Sequence, residues 1–112
     1  MSDQPQPSAG DVLHVEAKSD GTQATIILVG EFDMIGTEPF WGIVDEVLAA
    51  RPKSIVLEAR GLTFTDSSGL MALVRARDAA NATGVEFRID QPSPALRRIA
   101  ELSGLGDLLR AE

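Results

Sequence analysis

The run Ser54-Ile55-Val56-Leu57-Glu58-Ala59 constrains this chain more than any other stretch. It is nearly all apolar and β-branched at its centre. Runs of this kind suit strands of a parallel sheet covered by helices. Parallel neighbours need a crossover of a dozen or more residues, usually a helix. The preceding segment offers one. Ala24-Thr25-Ile26-Ile27-Leu28-Val29 reads as a second strand, rich in β-branched residues. Between the two strands, Thr37 is placed to cap a helix, with Pro39 in its first turn, where a missing N–H costs little. Phe40, Ile43, Val44, Val47 and Leu48 then recur at helical spacing, and Pro52 stops the helix near Ala50.

The alternation continues in both directions. Upstream, Val12 to Ala17 reads as a first strand, and Asp20-Gly21 joins it to the second as an antiparallel hairpin. Downstream, Leu70, Leu73, Val74 and Arg77 share one face of a second helix that Gly84 ends. Val85, Phe87 and Ile89 alternate as a fourth strand. Ser93-Pro94 opens a third helix, with Leu96, Ile99 and Ala100 inward and Gly104 after its end. Leu105, Leu108 and Leu109 form a last apolar patch. The expected fold is α/β, in the order ββαβαβα. Its mixed sheet is mostly parallel with an antiparallel N-terminal hairpin, and its crossovers are right-handed.

The 112 residues fit one domain, expected over residues 11–112. Residues 1–10 are polar and rich in Pro, Ser and Gln, and are expected to be a disordered arm. They have neither the basic start nor the apolar centre of a signal peptide. No apolar run approaches the roughly 20 residues of a membrane helix, so a cytoplasmic protein is expected. The formal charge of -7 disfavours direct binding to nucleic-acid phosphates. With no cysteine and the single histidine His14, metal sites and histidine-based catalysis have little material.

Topology concentrates the remaining chemistry. In a parallel strand-helix-strand unit, both strands end at the same sheet edge, where α/β folds usually place their sites. The second strand runs into Gly30-Glu31-Phe32-Asp33, and the third into the loop Phe64-Thr65-Asp66-Ser67-Ser68-Gly69-Leu70. Glu31, Asp33, Asp66 and Ser67 should therefore gather. A serine nucleophile needs a base within hydrogen-bond reach, and no spacing brings His14 to Ser67. Nor is the loop the Gly-x-Ser-x-Gly elbow of hydrolases. Asp66 or Ser67 can instead cap the second helix. A third role is phosphoacceptor, because free N–H groups and the dipole at a helix start favour negative charge.

Three motifs carry a family resemblance: Gly30-Glu31-Phe32-Asp33, Phe64 to Leu70, and Ser93-Pro94-Ala95-Leu96-Arg97-Arg98-Ile99 followed by Ser103-Gly104-Leu105. In this order and spacing they resemble the STAS-domain family, most closely its bacterial anti-sigma factor antagonists, over about Val12 to Leu109. The resemblance implies a binding switch, not an enzyme, with no cofactor of its own. The unphosphorylated protein would bind an anti-sigma factor of the serine kinase type and so release a sigma factor. Phosphorylation of Ser67 would end binding, and a PP2C-like phosphatase would restore it. Asp66, Ser68, Gly69, Glu31, Asp33 and Arg75 would form the partner-binding set, with Ser68 also supporting the loop. The chain stops at Glu112, where many relatives continue with another strand and helix. Trp41, beside the apolar face of the first helix, fits either core-edge packing or an interface anchor. The rival reading within the family is an accessory or scaffold module. It would dock on a transporter ATPase or sense a ligand, without a phosphorylation cycle.

Overall fold

The computed structural model describes residues 12–109; the arm expected over residues 1–10 lies outside them. The elements are β1 (His14–Ser19), β2 (Gln23–Phe32), α1 (Met34–Ala49), β3 (Ser54–Thr65), α2 (Ser67–Ala82), β4 (Glu86–Asp90) and α3 (Pro94–Leu102), then a 3-10 turn at Gly106–Leu109. The strands lie in the order β1-β2-β3-β4. β1 pairs antiparallel with β2, and β2 with β3 and β3 with β4 pair in parallel. This is the expected ββαβαβα mixed sheet.

The hairpin forms because Asp20 organises it. Its carboxylate accepts hydrogen bonds from the backbone N–H groups of Thr22 at 2.9 Å and Gln23 at 2.8 Å. Those bonds, Gln23's first, hold the carboxyl below its usual pKa. The turn is tight enough that Ser19 pairs with Ala24. β1 therefore runs on to Ser19, past the expected end at Ala17.

Two boundaries differ from expectation in ways that bear on function. α1 starts at Met34, not after Thr37, because Asp33 is its cap and accepts from the Ile35 N–H at 3.0 Å. The Thr37 hydroxyl donates instead to the Met34 carbonyl within the first turn, at 2.9 Å. Pro39 thus lies inside the helix. The carbonyl that loses its helical donor belongs to Ile35, which is well exposed. β3 does not end at Ala59 but continues to Thr65. The Arg60-Gly61-Leu62-Thr63 stretch has little strand propensity, yet the ten-residue β2 supplies it with partners from Val29↔Gly61 to Phe32↔Thr65. Two register shifts, each placing one extra residue on the β3 side, accommodate the extension.

One core joins every layer. Phe40 and Val44 of α1, Leu70 and Leu73 of α2, Leu96 and Ala100 of α3, and Leu108 of the 3-10 turn form a single cluster with strand residues including Ile26, Leu28, Ile55 and Leu57. Phe32, at the end of β2, packs edge-to-face on Phe40 with ring centroids 5.0 Å apart. The alternate residues of β2, among them Thr25, Ile27 and Val29, are half-buried and point away from this core. α3 lies mainly along β3, and β4 pairs with β3 only as far as Asp90.

Candidate functional site

β2 and β3 end side by side. Glu31 pairs with Phe64 and Phe32 with Thr65. The Asp66 N–H then donates to the Phe32 carbonyl at 3.2 Å. The Thr63 hydroxyl reaches the Gly30 carbonyl at 3.3 Å. The register thus brings Glu31, Asp33, Asp66 and Ser67 to one sheet edge.

Asp66 is the cap of α2. Its carboxylate accepts from the Gly69 N–H at 3.0 Å, and its carbonyl accepts from the Leu70 N–H at 3.0 Å. The capping question left open between Asp66 and Ser67 is thereby decided. Ser67 is the first residue of the helix and is exposed; Ser68 is half-buried. Neither serine hydroxyl has a hydrogen-bond partner among the described residues. The first N–H groups of a helix have no internal acceptor. Asp66 takes the one on Gly69, so those of Ser67 and Ser68 remain beside the hydroxyl. His14 is exposed on β1 and paired with Val29, and it bonds to neither serine.

Gly69 is buried and acts from beneath the loop. A Cβ there would lie 2.4 Å from the Phe32 carbonyl oxygen and 2.9 Å from its ring. Only a glycine lets the first turn of α2 sit on the end of β2. Its place in the expected binding set is thus positional. Thr65, just before the cap, is also buried, and its hydroxyl oxygen has no hydrogen-bond partner among the described residues.

Sequence reasoning missed the apolar part of this edge. Met34 is 71% exposed, Ile35 76%, Phe64 46% and Met71 48%. Met34 and Ile35 occupy the first turn of α1, Phe64 the end of β3, and Met71 the second turn of α2. Hydrophobic residues left this far out of a core, next to acidic groups, are the composition of a contact surface. The available signal was that all four fall outside the helical and strand periodicities that define the core.

Arg75 is exposed on α2, and its guanidinium carbon stands 4.8 Å from the Trp41 ring centroid. Trp41 is half-buried, packs on the core and meets Phe40 edge-to-face at 5.9 Å. It is core-edge packing with a cation laid over it. Away from this edge, a cleft of about 350 Å³ opens where β3 and β4 begin, lined by Ser54, Arg77, Asn81, Glu86, Arg88 and Asp107 among others. No group of residues suited to hold a metal ion occurs among the described residues, and no helix there is long and apolar enough to cross a membrane.

Fold and site together define a small α/β domain with an Asp-capped, hydroxyl-bearing helix start at the carboxyl edge of one mixed sheet. Residues 15–110 match the family model described as Mlab, STAS domain, and the chain belongs to the STAS-domain family. It is 30% identical, over 82% of its length and 90% of the relative's, to a STAS-domain containing protein of Pseudomonas aeruginosa (strain UCBPP-PA14). It is 29% identical to an anti-sigma F factor antagonist of Paenibacillus polymyxa, over 83% of this chain and 80% of that one. The fold also matches the solved anti-sigma factor antagonist SpoIIAA. In its unphosphorylated form the TM-score is 0.72 at 24% identity, covering 88% of this chain and 86% of that one. In the phosphorylated form, from Bacillus, it is 0.67 at 23% identity, covering 88% and 89%.

Proposed function

We propose that this chain is an anti-sigma factor antagonist of the cytoplasm. It binds an anti-sigma factor, itself a serine kinase, through the carboxyl edge of its sheet while Ser67 is unmodified. Binding frees a sigma factor. Phosphorylation of Ser67 ends the contact, and a PP2C-like phosphatase restores it. The observation that carries this reading is that the Ser67 hydroxyl is exposed and uncommitted, because Asp66 and not the serine caps α2. The names of the antagonist relatives support the same reading.

The physics of the switch is local. Phosphate adds about 1.5 to 2 negative charges. The free N–H groups at the helix start favour it, so the fold tolerates the modification. A partner seated on the ring of Met34, Ile35, Phe64 and Met71 would meet bulk and charge at its centre. Each 1.4 kcal/mol lost there weakens binding about tenfold. Glu31, Asp33, Asp66 and Arg75 supply the charged surround, and Ser68 and Gly69 shape the loop. The test is incubation with the anti-sigma kinase of the same genome and ATP, followed by peptide mass spectrometry. Phosphate should appear on Ser67. Ser67→Asp should abolish binding to that kinase, and Ser67→Ala should make it constitutive. Phosphate found elsewhere, with Ser67 untouched, would remove the site assignment.

A second reading is an accessory module that docks on a transporter ATPase or senses a ligand without turnover of phosphate. Two observations favour it: the matched family model is described by Mlab and not by an antagonist, and the roughly 350 Å³ cleft lies away from Ser67. Recovery of a transporter ATPase with the tagged chain, and no anti-sigma factor, would establish it over the first.

A further inference from the structure

Ser67, Met71 and Arg75 are spaced i, i+4 and i+8 on α2, so they form one stripe, and all three are exposed. The stripe begins at the candidate switch and ends where α2 meets α1, at Trp41. A guanidinium carries five N–H donors in a planar fork. At Arg75 the guanidinium carbon lies over the indole, 4.8 Å from the ring centroid, which orients the group through cation–π attraction. No carboxylate or carbonyl among the described residues accepts from it. The contrast is Arg77, two residues on along the same helix, whose guanidinium bonds Asp78 at 3.2 Å. Arg75 is therefore a cation held in place with its hydrogen bonds unspent, in a chain of net charge -7.

We infer that the Trp41–Arg75 pair is a second, phosphate-independent half of the docking surface, and that it takes an Asp or Glu carboxylate of the bound protein. A carboxylate meets the edge of the fork with two parallel hydrogen bonds while the indole keeps the face covered. Met71, between Ser67 and Arg75, offers an adaptable apolar contact for the residue beside that carboxylate. Glu38 and Asp45, at i-3 and i+4 from Trp41 on α1, are exposed. They repel a partner carboxylate from the neighbouring surface, so Arg75 fixes the register of docking as well as adding affinity. A pre-oriented arginine on an aromatic residue also loses little side-chain freedom on binding.

Position makes the two halves separable. Ser67 and Arg75 lie about 12 Å apart along the helix axis at 1.5 Å per residue. The Arg75 guanidinium is held on Trp41. Phosphorylation would thus act on the first contact and Arg75 substitutions on the second, each separately.

This inference rests on the antagonist reading. Its test uses the full chain and the same anti-sigma kinase, with dissociation constants from calorimetry at low and high salt. Arg75 is exposed, so its variants should keep the wild-type melting temperature within a few degrees. Arg75→Ala should weaken binding about 30-fold, the scale of a buried interface arginine. Arg75→Lys should recover little of this, since it keeps the charge but not the fork. Arg75→Glu should be worst, and most so at low salt. Each factor should be the same in the Ser67→Ala background, because distant sites add. Fluorescence of Trp41, the chain's one tryptophan, should change when the wild-type complex forms. If wild type binds, Ser67→Asp does not, and Arg75→Glu binds like wild type, this inference falls and the antagonist reading stands. If wild type does not bind the kinase at all, the reading falls and takes the inference with it.

Discussion

The starts of α1 and α2 are the same device built twice. Each follows a strand of the parallel pair, β2 or β3, and each is capped by an aspartate, Asp33 or Asp66. Three residues later comes a glycine at the third helical position, Gly36 or Gly69, and both are buried. The residue before each cap, Phe32 or Thr65, is buried and the two pair in register. What differs lies between cap and glycine: Met34-Ile35 in one copy and Ser67-Ser68 in the other. The first copy shows that this backbone needs no hydroxyl. Capping, packing and chain direction are all met with a methionine and an isoleucine. The two serines are therefore not explained by the fold, and that is the internal argument for giving Ser67 a function.

The comparison can be stressed step by step. The glycines should differ most. A Cβ on Gly69 would strike the backbone oxygen of Phe32 at 2.4 Å, whereas one on Gly36 would meet side chains alone, Leu13 at 3.1 Å and the Phe32 ring at 3.5 Å. Gly69→Ala should cost about 3 kcal/mol by overpacking. Gly36→Ala should stay within about 0.5 kcal/mol of wild type, its helix propensity offsetting a small shift of Leu13. Chemical denaturation of both variants measures this, and equal losses would break the asymmetry. The caps should instead behave alike, with Asp33→Ala and Asp66→Ala each costing about 1 kcal/mol.

Thr65→Val tests the position where the second copy is imperfect. It removes a buried hydroxyl that has no partner among the described residues and keeps the β-branched shape, so stability should rise by about 1 kcal/mol. A loss would mean that the hydroxyl is used. Stability should move least, within about 0.5 kcal/mol, when Ser67→Met and Ser68→Ile are combined to write the first copy's residues into the second. That double variant should fold normally and take no phosphate on this loop, a separation of fold from switch that unfolding curves and mass spectrometry read directly.

How much of this was legible in the sequence follows from the range of the interactions. Local rules placed the hairpin through Asp20-Gly21, ended α1 before Pro52, and opened α3 at Ser93, which caps it through the Leu96 N–H at 3.1 Å. Topology alone placed Glu31, Asp33, Asp66 and Ser67 at one edge. The start of α1 was misplaced because Thr37 and Pro39 are good signals taken singly, while Asp33 competes from the end of a strand. The length of β3 was hidden because Arg60 to Thr63 extend through pairing with β2 and not through their own propensity. The Trp41–Arg75 pair joins two helices across 34 residues, and no periodicity within either helix announces it.

The carbonyl of Phe32 has a consequence in time. It accepts the Asp66 N–H, lies directly beneath Gly69, and belongs to a residue whose ring is clamped against Phe40. The loop that carries Ser67 is therefore tied to the buried end of the β2–β3 pair. Its amide at Asp66 can exchange with solvent only when the β2–β3 pair itself opens. On the antagonist reading proposed above, a partner or a kinase would meet one fixed presentation of the serine on every encounter, and the state of the chain would be stored in the presence of a phosphate and not in a movement that could relax away.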